Sequence, residues 1–123
     1  MERKYDLNER LIDFAVMTIR LSDNLVRSNS GRYLADQLMR AGVAPSLHYG
    51  EAQGAESPKD FIHKFRILIK ELRESFNAMK VIRQANLTRE TILLESALIE
   101  CNELISIFNT SIKTAKRNAS RIK

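Results

Sequence analysis

The stretch Arg40-Ala41-Gly42-Val43-Ala44-Pro45-Ser46-Leu47-His48-Tyr49-Gly50-Glu51-Ala52-Gln53-Gly54-Ala55-Glu56-Ser57-Pro58-Lys59-Asp60-Phe61 decides the fold. Both prolines and three of the four glycines fall inside it. Long helical patterns lie on either side. Within it, Ser57-Pro58-Lys59-Asp60 is the sharpest boundary of the chain. Serine suits an N-cap, proline the first helical position, and an acid three residues after the cap suits the positive end of the helix dipole.

Beyond that boundary, Phe61, Phe65, Leu68, Leu72, Phe76 and Met79 recur at helical spacing, with Ile62, Ile69 and Ile82 alongside. This predicts a third helix over 58–85. Before it, Tyr33, Leu34, Leu38, Ala41 and Leu47 can share one face of a second helix over 32–53. Pro45 lacks a backbone donor and is expected to kink or interrupt that helix. Small residues crowd its second half and allow a close backbone approach. Further out, Leu7, Leu11, Phe14, Thr18, Leu21 and Leu25 predict a first helix over 6–27, closed by the polar turn Ser28-Asn29-Ser30-Gly31. A fourth, over 88–118 with Thr88 as its cap, carries Leu94, Leu98, Cys101, Ile105, Phe108 and Ile112 at heptad spacing. The spacing continues through Ala115, Ala119 and Ile122 and implies left-handed packing on neighbouring helices.

No strand pattern, internal repeat or low-complexity tract competes with these segments. The expectation is a single all-α domain over residues 1–123, an antiparallel up-down-up-down four-helix bundle with short links. A second apolar set remains outside the seams: Ile12, Val16 and Ile19 on helix one, Ile92, Leu93, Ile99 and Ile107 on helix four. Four small helices need not bury that surface within one subunit. A self-associating face is its natural place, so a homo-oligomer is expected.

Composition restricts the function classes. At 44% hydrophobic and 28% charged residues, this is an ordinary globular composition. No apolar run approaches the roughly 20 residues that span a bilayer. The start, Met1-Glu2-Arg3-Lys4-Tyr5-Asp6, reads as a charged amphipathic lead-in, not a signal peptide. One cysteine allows no internal disulfide and fits a reducing cytoplasm. One cysteine and two histidines cannot build a standard zinc site, so no metal and no cofactor is expected.

The net charge of +5 is concentrated at one end. Lys113, Lys116, Arg117, Arg121 and Lys123 lie in residues 113–123 without an acid, and the rest of the chain balances to zero. Helix three adds a stripe. Lys59, His63, Arg66, Lys70, Arg73, Asn77, Lys80 and Gln84 follow one another at steps of four and three. They fall on one flank of its apolar seam, while Asp60, Glu71 and Glu74 lie on the other. Lys64 and Arg83 add positive charge to the same helix. A basic line at helical spacing can track phosphates, because Lys and Arg displace counterions from nucleic acid. It can equally be a solvated bundle face whose long side chains cover apolar edges. Aromatic residues, which would mark single-strand binding, do not interleave with the stripe.

His48 and Glu51, with His63, invite an acid–base reading. No nucleophile with a base and an orienting partner can be read beside them, so no catalytic residue is assigned. Cys101 sits on a core seam as a small hydrophobe. Gly50 and Gly54 fit no phosphate-loop fingerprint. Met17, Met39 and Met79 are packing groups.

The runs Leu34-Ala35-Asp36-Gln37-Leu38-Met39-Arg40-Ala41 and Lys59-Asp60-Phe61-Ile62-His63-Lys64-Phe65 resemble the four helix bundle protein family. That family includes proteins encoded in 23S ribosomal RNA intervening sequences. A related branch is the accessory protein of diversity-generating retroelements. Gln37, Leu38, Arg40, Ala41, Pro45, Ser46, Glu51, Lys59, Asp60, Phe61 and Phe65 carry the match. The chain departs where the family has Asn after Pro-Ser and glycine after the glutamate; here Leu47 and Ala52 stand. The resemblance implies a small helical subunit without known catalysis, often assembled as a pentameric ring. For the retroelement branch it implies binding of nucleic acid and a reverse transcriptase.

Two readings follow. One is a non-enzymatic oligomeric scaffold that binds RNA or DNA electrostatically through Lys59, Lys64, Arg66, Lys70, Arg73, Lys80, Arg83, Lys113, Lys116, Arg117 and Arg121. The other is a protein-interaction module with no nucleic-acid role, whose basic surface docks an acidic partner or serves solubility.

Overall fold

A computed structural model describes residues 6–122, apart from the side chain of Ile122. The expectations for Met1–Tyr5, for the seam position Ile122 and for Lys123 lie outside the described residues. Four helices pack against each other: α1 (Leu7–Asp23), α2 (Asn29–Gln53), α3 (Pro58–Gln84) and α4 (Thr91–Ile122). Among the described residues there is no strand. A single isolated bridge joins Leu25 to Thr88. No described helix is long and apolar enough to cross a membrane.

Capping chemistry sets the ends. Asp6 accepts from the Glu9 amide, Ser28 from Gly31 and Ser57 from Asp60, each in place of a missing helical carbonyl. Asp60 returns a bond by accepting from the Glu56 amide at 3.3 Å. Helix α3 stops in a Schellman turn: Asn86 takes a left-handed φ of 56°, Leu87 N donates to Ile82 O, and Asn86 N donates to Arg83 O. Leu87 is then buried.

Several boundaries differ from the sequence reading. Helix α1 ends at Asp23, four residues early, because Asn24 caps it with its side-chain amide on Arg20 O at 2.8 Å. Leu25 and Val26 leave the helix, and Val26 N donates to Leu87 O at 2.8 Å. Helix α2 begins at Asn29, so Gly31 lies in its first turn and not in a linking turn. A Cβ on Gly31 would collide with the carbonyl of Val26, which explains glycine there. Thr88 is not the N-cap; its hydroxyl joins the two links, donating to Asn24 O and accepting from the Glu90 amide. Pro45 neither interrupts nor ends α2. It is buried, and side-chain packing along α2 offsets the roughly 3 kcal/mol that proline costs in a helix interior.

The core runs through all four helices. Leu11, Phe14, Leu38, Leu68, Leu72, Leu94 and Phe108 are closed to solvent or nearly so. The α2 face is rotated from the expected one: Tyr33 and Leu47 are exposed, while Gly42, Pro45 and Ala52 are buried. The cause is contact with α1. A Cβ on Gly42 would fall inside the side chain of Thr18, so the two backbones approach as closely as glycine permits. The α1–α4 seam is the thinnest contact of the bundle, and an ion pair spans it. Arg10 meets Glu100 through two hydrogen bonds of 2.8 and 3.0 Å, and Glu103 at 2.7 Å. The hydrogen bonds to Glu100, more than the Coulomb attraction, push the Arg10 pKa above its ordinary value. On α4, Cys101 is buried and donates to Leu72 O at 3.1 Å.

Two outcomes are expected. Gly42→Ala should destabilise the fold by about 1–3 kcal/mol through overpacking against Thr18. Because the Thr18 Cβ itself stands in the way, only Thr18→Gly makes room: Gly42→Ala combined with Thr18→Gly should lose less in urea unfolding than the two single losses added together, and additive losses would contradict the close approach. Burial, reinforced by Glu100, pushes the Cys101 thiol up to about 12. The thiol should therefore resist alkylation at pH 8 in the native state and react fast in urea. Because the folded value is raised, Cys101 takes nothing from stability at neutral pH. It weakens the fold as pH rises from about 9.0 towards about 12.

Candidate nucleic-acid interface

The helix-three stripe is real as a surface. Lys59, His63, Arg66, Lys70, Arg73, Asn77 and Gln84 are exposed, and Lys80 is half-buried over the Phe76 ring at 5.6 Å. Its direction matters more than its exposure. Arg66 and Ile69 of α3 face Asn109, Ile112, Lys113 and Lys116 of α4 across a groove of about 290 Å³. The structure thus joins the stripe to the basic end of α4, two features far apart in the chain. The acids take the other side: Glu71 and Glu74 line a groove against Gln37, Arg40, Ala41 and Ala44 of α2. Partial burial, then the neighbouring Glu74, push the Glu71 carboxyl upward.

The predicted cations do not all stand alike. Lys64 lies 4.0 Å from Glu51, and Arg83 holds Glu95 at 3.0 Å, so both have a carboxylate nearby. Lys59, Arg66, Lys70, Arg73, Lys113, Lys116, Arg117 and Arg121 have no carboxylate of the described residues within 4.0 Å. After Glu103 no acid follows on α4, so nothing on that helix opposes an anion in the groove. His48 is half-buried and lies 3.6 Å from Glu51, while His63 is exposed on the stripe. Among the described residues no cluster of three potential metal ligands forms.

Of the seven apolar residues assigned to self-association, Ile92 (84% exposed), Ile99 (66%), Ile12 and Val16 are open to solvent. Ile19 and Ile107 are half-buried, and Leu93 packs on the edge of the subunit's own core. Sequence reasoning missed a second groove, of about 460 Å³, at the end of the bundle. Tyr49 of α2 and Phe61 and Phe65 of α3 form its base, and Thr110, Thr114 and Asn118 of α4 line one side. Phe61 and Phe65 lie 4.3 Å apart between ring centres, and Phe65 meets Phe108 edge-on at 5.0 Å. The only signal in the sequence was aromatic spacing on α3, which reads as core.

No protein-family profile and no curated protein matches the chain. A solved structure does: a protein of unknown function from the S23 ribosomal protein family of Bacteroides thetaiotaomicron. It is 29% identical, covers 86% of this chain and 97% of its own, and superposes with a TM-score of 0.76. Likeness in sequence, length and fold together bears out the ribosomal-intervening-sequence part of the resemblance read from the residues: this chain is similar to a solved protein of the S23 ribosomal protein family.

Proposed function

We propose that the protein is a non-enzymatic scaffold that binds nucleic acid electrostatically, as a homo-oligomer of up-down-up-down bundles. One observation carries the reading: Arg66, Lys113 and Lys116 converge on one groove with no acid among its lining residues. Such a groove replaces condensed counterions on a phosphate backbone and needs no base contact to do so. Lys70, Arg73, Arg117 and Arg121 extend the positive surface along both helices.

Neighbouring-helix contacts support the up-down order: Arg83 meets Glu95, Cys101 meets Leu72, and Phe65 meets Phe108. Exposed Ile92, Ile99, Ile12 and Val16 support self-association, since such residues gain from mutual burial. The pentameric ring and the reverse-transcriptase partner rest on the resemblance alone. A ring would repeat the basic groove and multiply weak phosphate contacts. The single buried thiol supports a reducing, cytoplasmic setting.

Fluorescence anisotropy with a labelled single-stranded RNA tests the binding. Three phosphate contacts per strand predict roughly a 20-fold loss of affinity between 50 and 200 mM salt. Charge reversal by Arg66→Glu, Lys113→Glu or Lys70→Glu should each weaken binding and flatten the salt slope by about 0.7. Affinity indifferent to salt and to these changes would leave the protein-interaction reading in possession. For the assembly, light scattering should show an oligomer at micromolar concentration, and Ile99→Asp should shift it towards the monomer. A monomeric wild type would contradict self-association.

A further inference from the structure

We infer that the groove at the bundle end takes an unpaired base of a single-stranded nucleic acid whose phosphates lie in the α3–α4 groove; this rests on the electrostatic reading above and gives it a second half. Both grooves flank one stretch of α4. Asn109, Lys113 and Lys116 border the basic groove, and Thr110, Thr114 and Asn118 border the other. At about 100° per residue the centres of these two sets lie roughly 130° apart around the helix. Between them the exposed outer ridge of α4 carries Arg117. A strand passing from one groove to the other crosses only the roughly 10 Å width of a helix with its side chains. Arg117 stands at the crossing.

The second groove has the surface a base requires. Phe61 and Tyr49 are half-buried, so each presents part of a ring to the opening. Their rings are fixed from beneath: Tyr49 stacks on Phe65 at 6.1 Å and meets Phe108 edge-on at 5.9 Å. A prepositioned ring loses little entropy on stacking. The wall of Thr110, Thr114 and Asn118, with Gln53 from α2, supplies hydroxyls and amides that can donate to and accept from a base edge. Charge selects the occupant. The neighbouring cations lie on α4 itself, and an apolar groove beside unopposed Lys and Arg suits an aromatic ligand carried on an anionic backbone. A duplex keeps its bases stacked and cannot present one.

The experiment compares a labelled single-stranded 12-mer with an abasic strand of the same length. Phe61→Leu keeps apolar volume and removes the ring; Thr114→Tyr fills the groove from the exposed wall. Base stacking on an aromatic side chain is lost by roughly 5- to 150-fold on truncation. Wild type should therefore prefer the base-bearing strand by about that factor, and either variant should bring the ratio near one. Thermal melts check that each variant is folded. Lys113→Glu should instead weaken both strands alike. If Lys113→Glu weakens both while neither groove variant changes the ratio, the base site is overturned and the electrostatic reading stands. If wild type binds neither strand, both fall.

Discussion

The α4 seam constrains everything else. Leu94, Leu98, Cys101, Ile105, Phe108 and Ile112 must all be covered, and together they fix the rotation of a 32-residue helix about its own axis. At roughly 0.8 kcal/mol per buried methylene, turning α4 to any other face would expose several large side chains at once. Once the seam is set, no freedom remains for the flanks. Asn109, Lys113 and Lys116 must face α3, and Thr110, Thr114 and Asn118 must overlook the bundle end. The two grooves are a by-product of where the core turns its back.

The aromatic group at that end links core and surface. Phe108 and Phe65 belong to the buried cluster, and Phe61 and Tyr49 stack outward from it into the open groove. The core and the groove therefore share side chains at this point. The opposite end is built differently. There the two links, around Leu25 and Thr88, are joined by backbone and hydroxyl hydrogen bonds, and Asn86 adopts a left-handed turn. One end is closed by polar contacts, and at the other, among the described residues, rings face a cleft.

Much of the helical frame was legible because helix formation leaves local marks. Ser57, Pro58 and Asp60 announce a start, and the Phe65-to-Met79 spacing announces a face. The misreadings share a cause. Tyr33 and Leu47 look like core by hydrophobicity, yet Gly42 and Pro45 take the interior because α1 comes in close over Thr18. Leu25 continues an apolar period past the point where Asn24 has already capped α1. Local pattern cannot weigh a contact with a distant segment against the pattern itself.

By itself, then, the sequence determined the four helices, the basic flank of α3, the acid-free end of α4 and the likeness that the 34–68 motif announced. Those properties are written within a few turns of chain. Only the tertiary structure decided that Arg66 meets Lys113 and Lys116, that Lys64 and Arg83 are drawn to Glu51 and Glu95, and that Tyr49 joins Phe61 in an open cleft. Each of these depends on how one helix is rotated against another. That rotation is set by the summed burial of whole seams and by no residue alone.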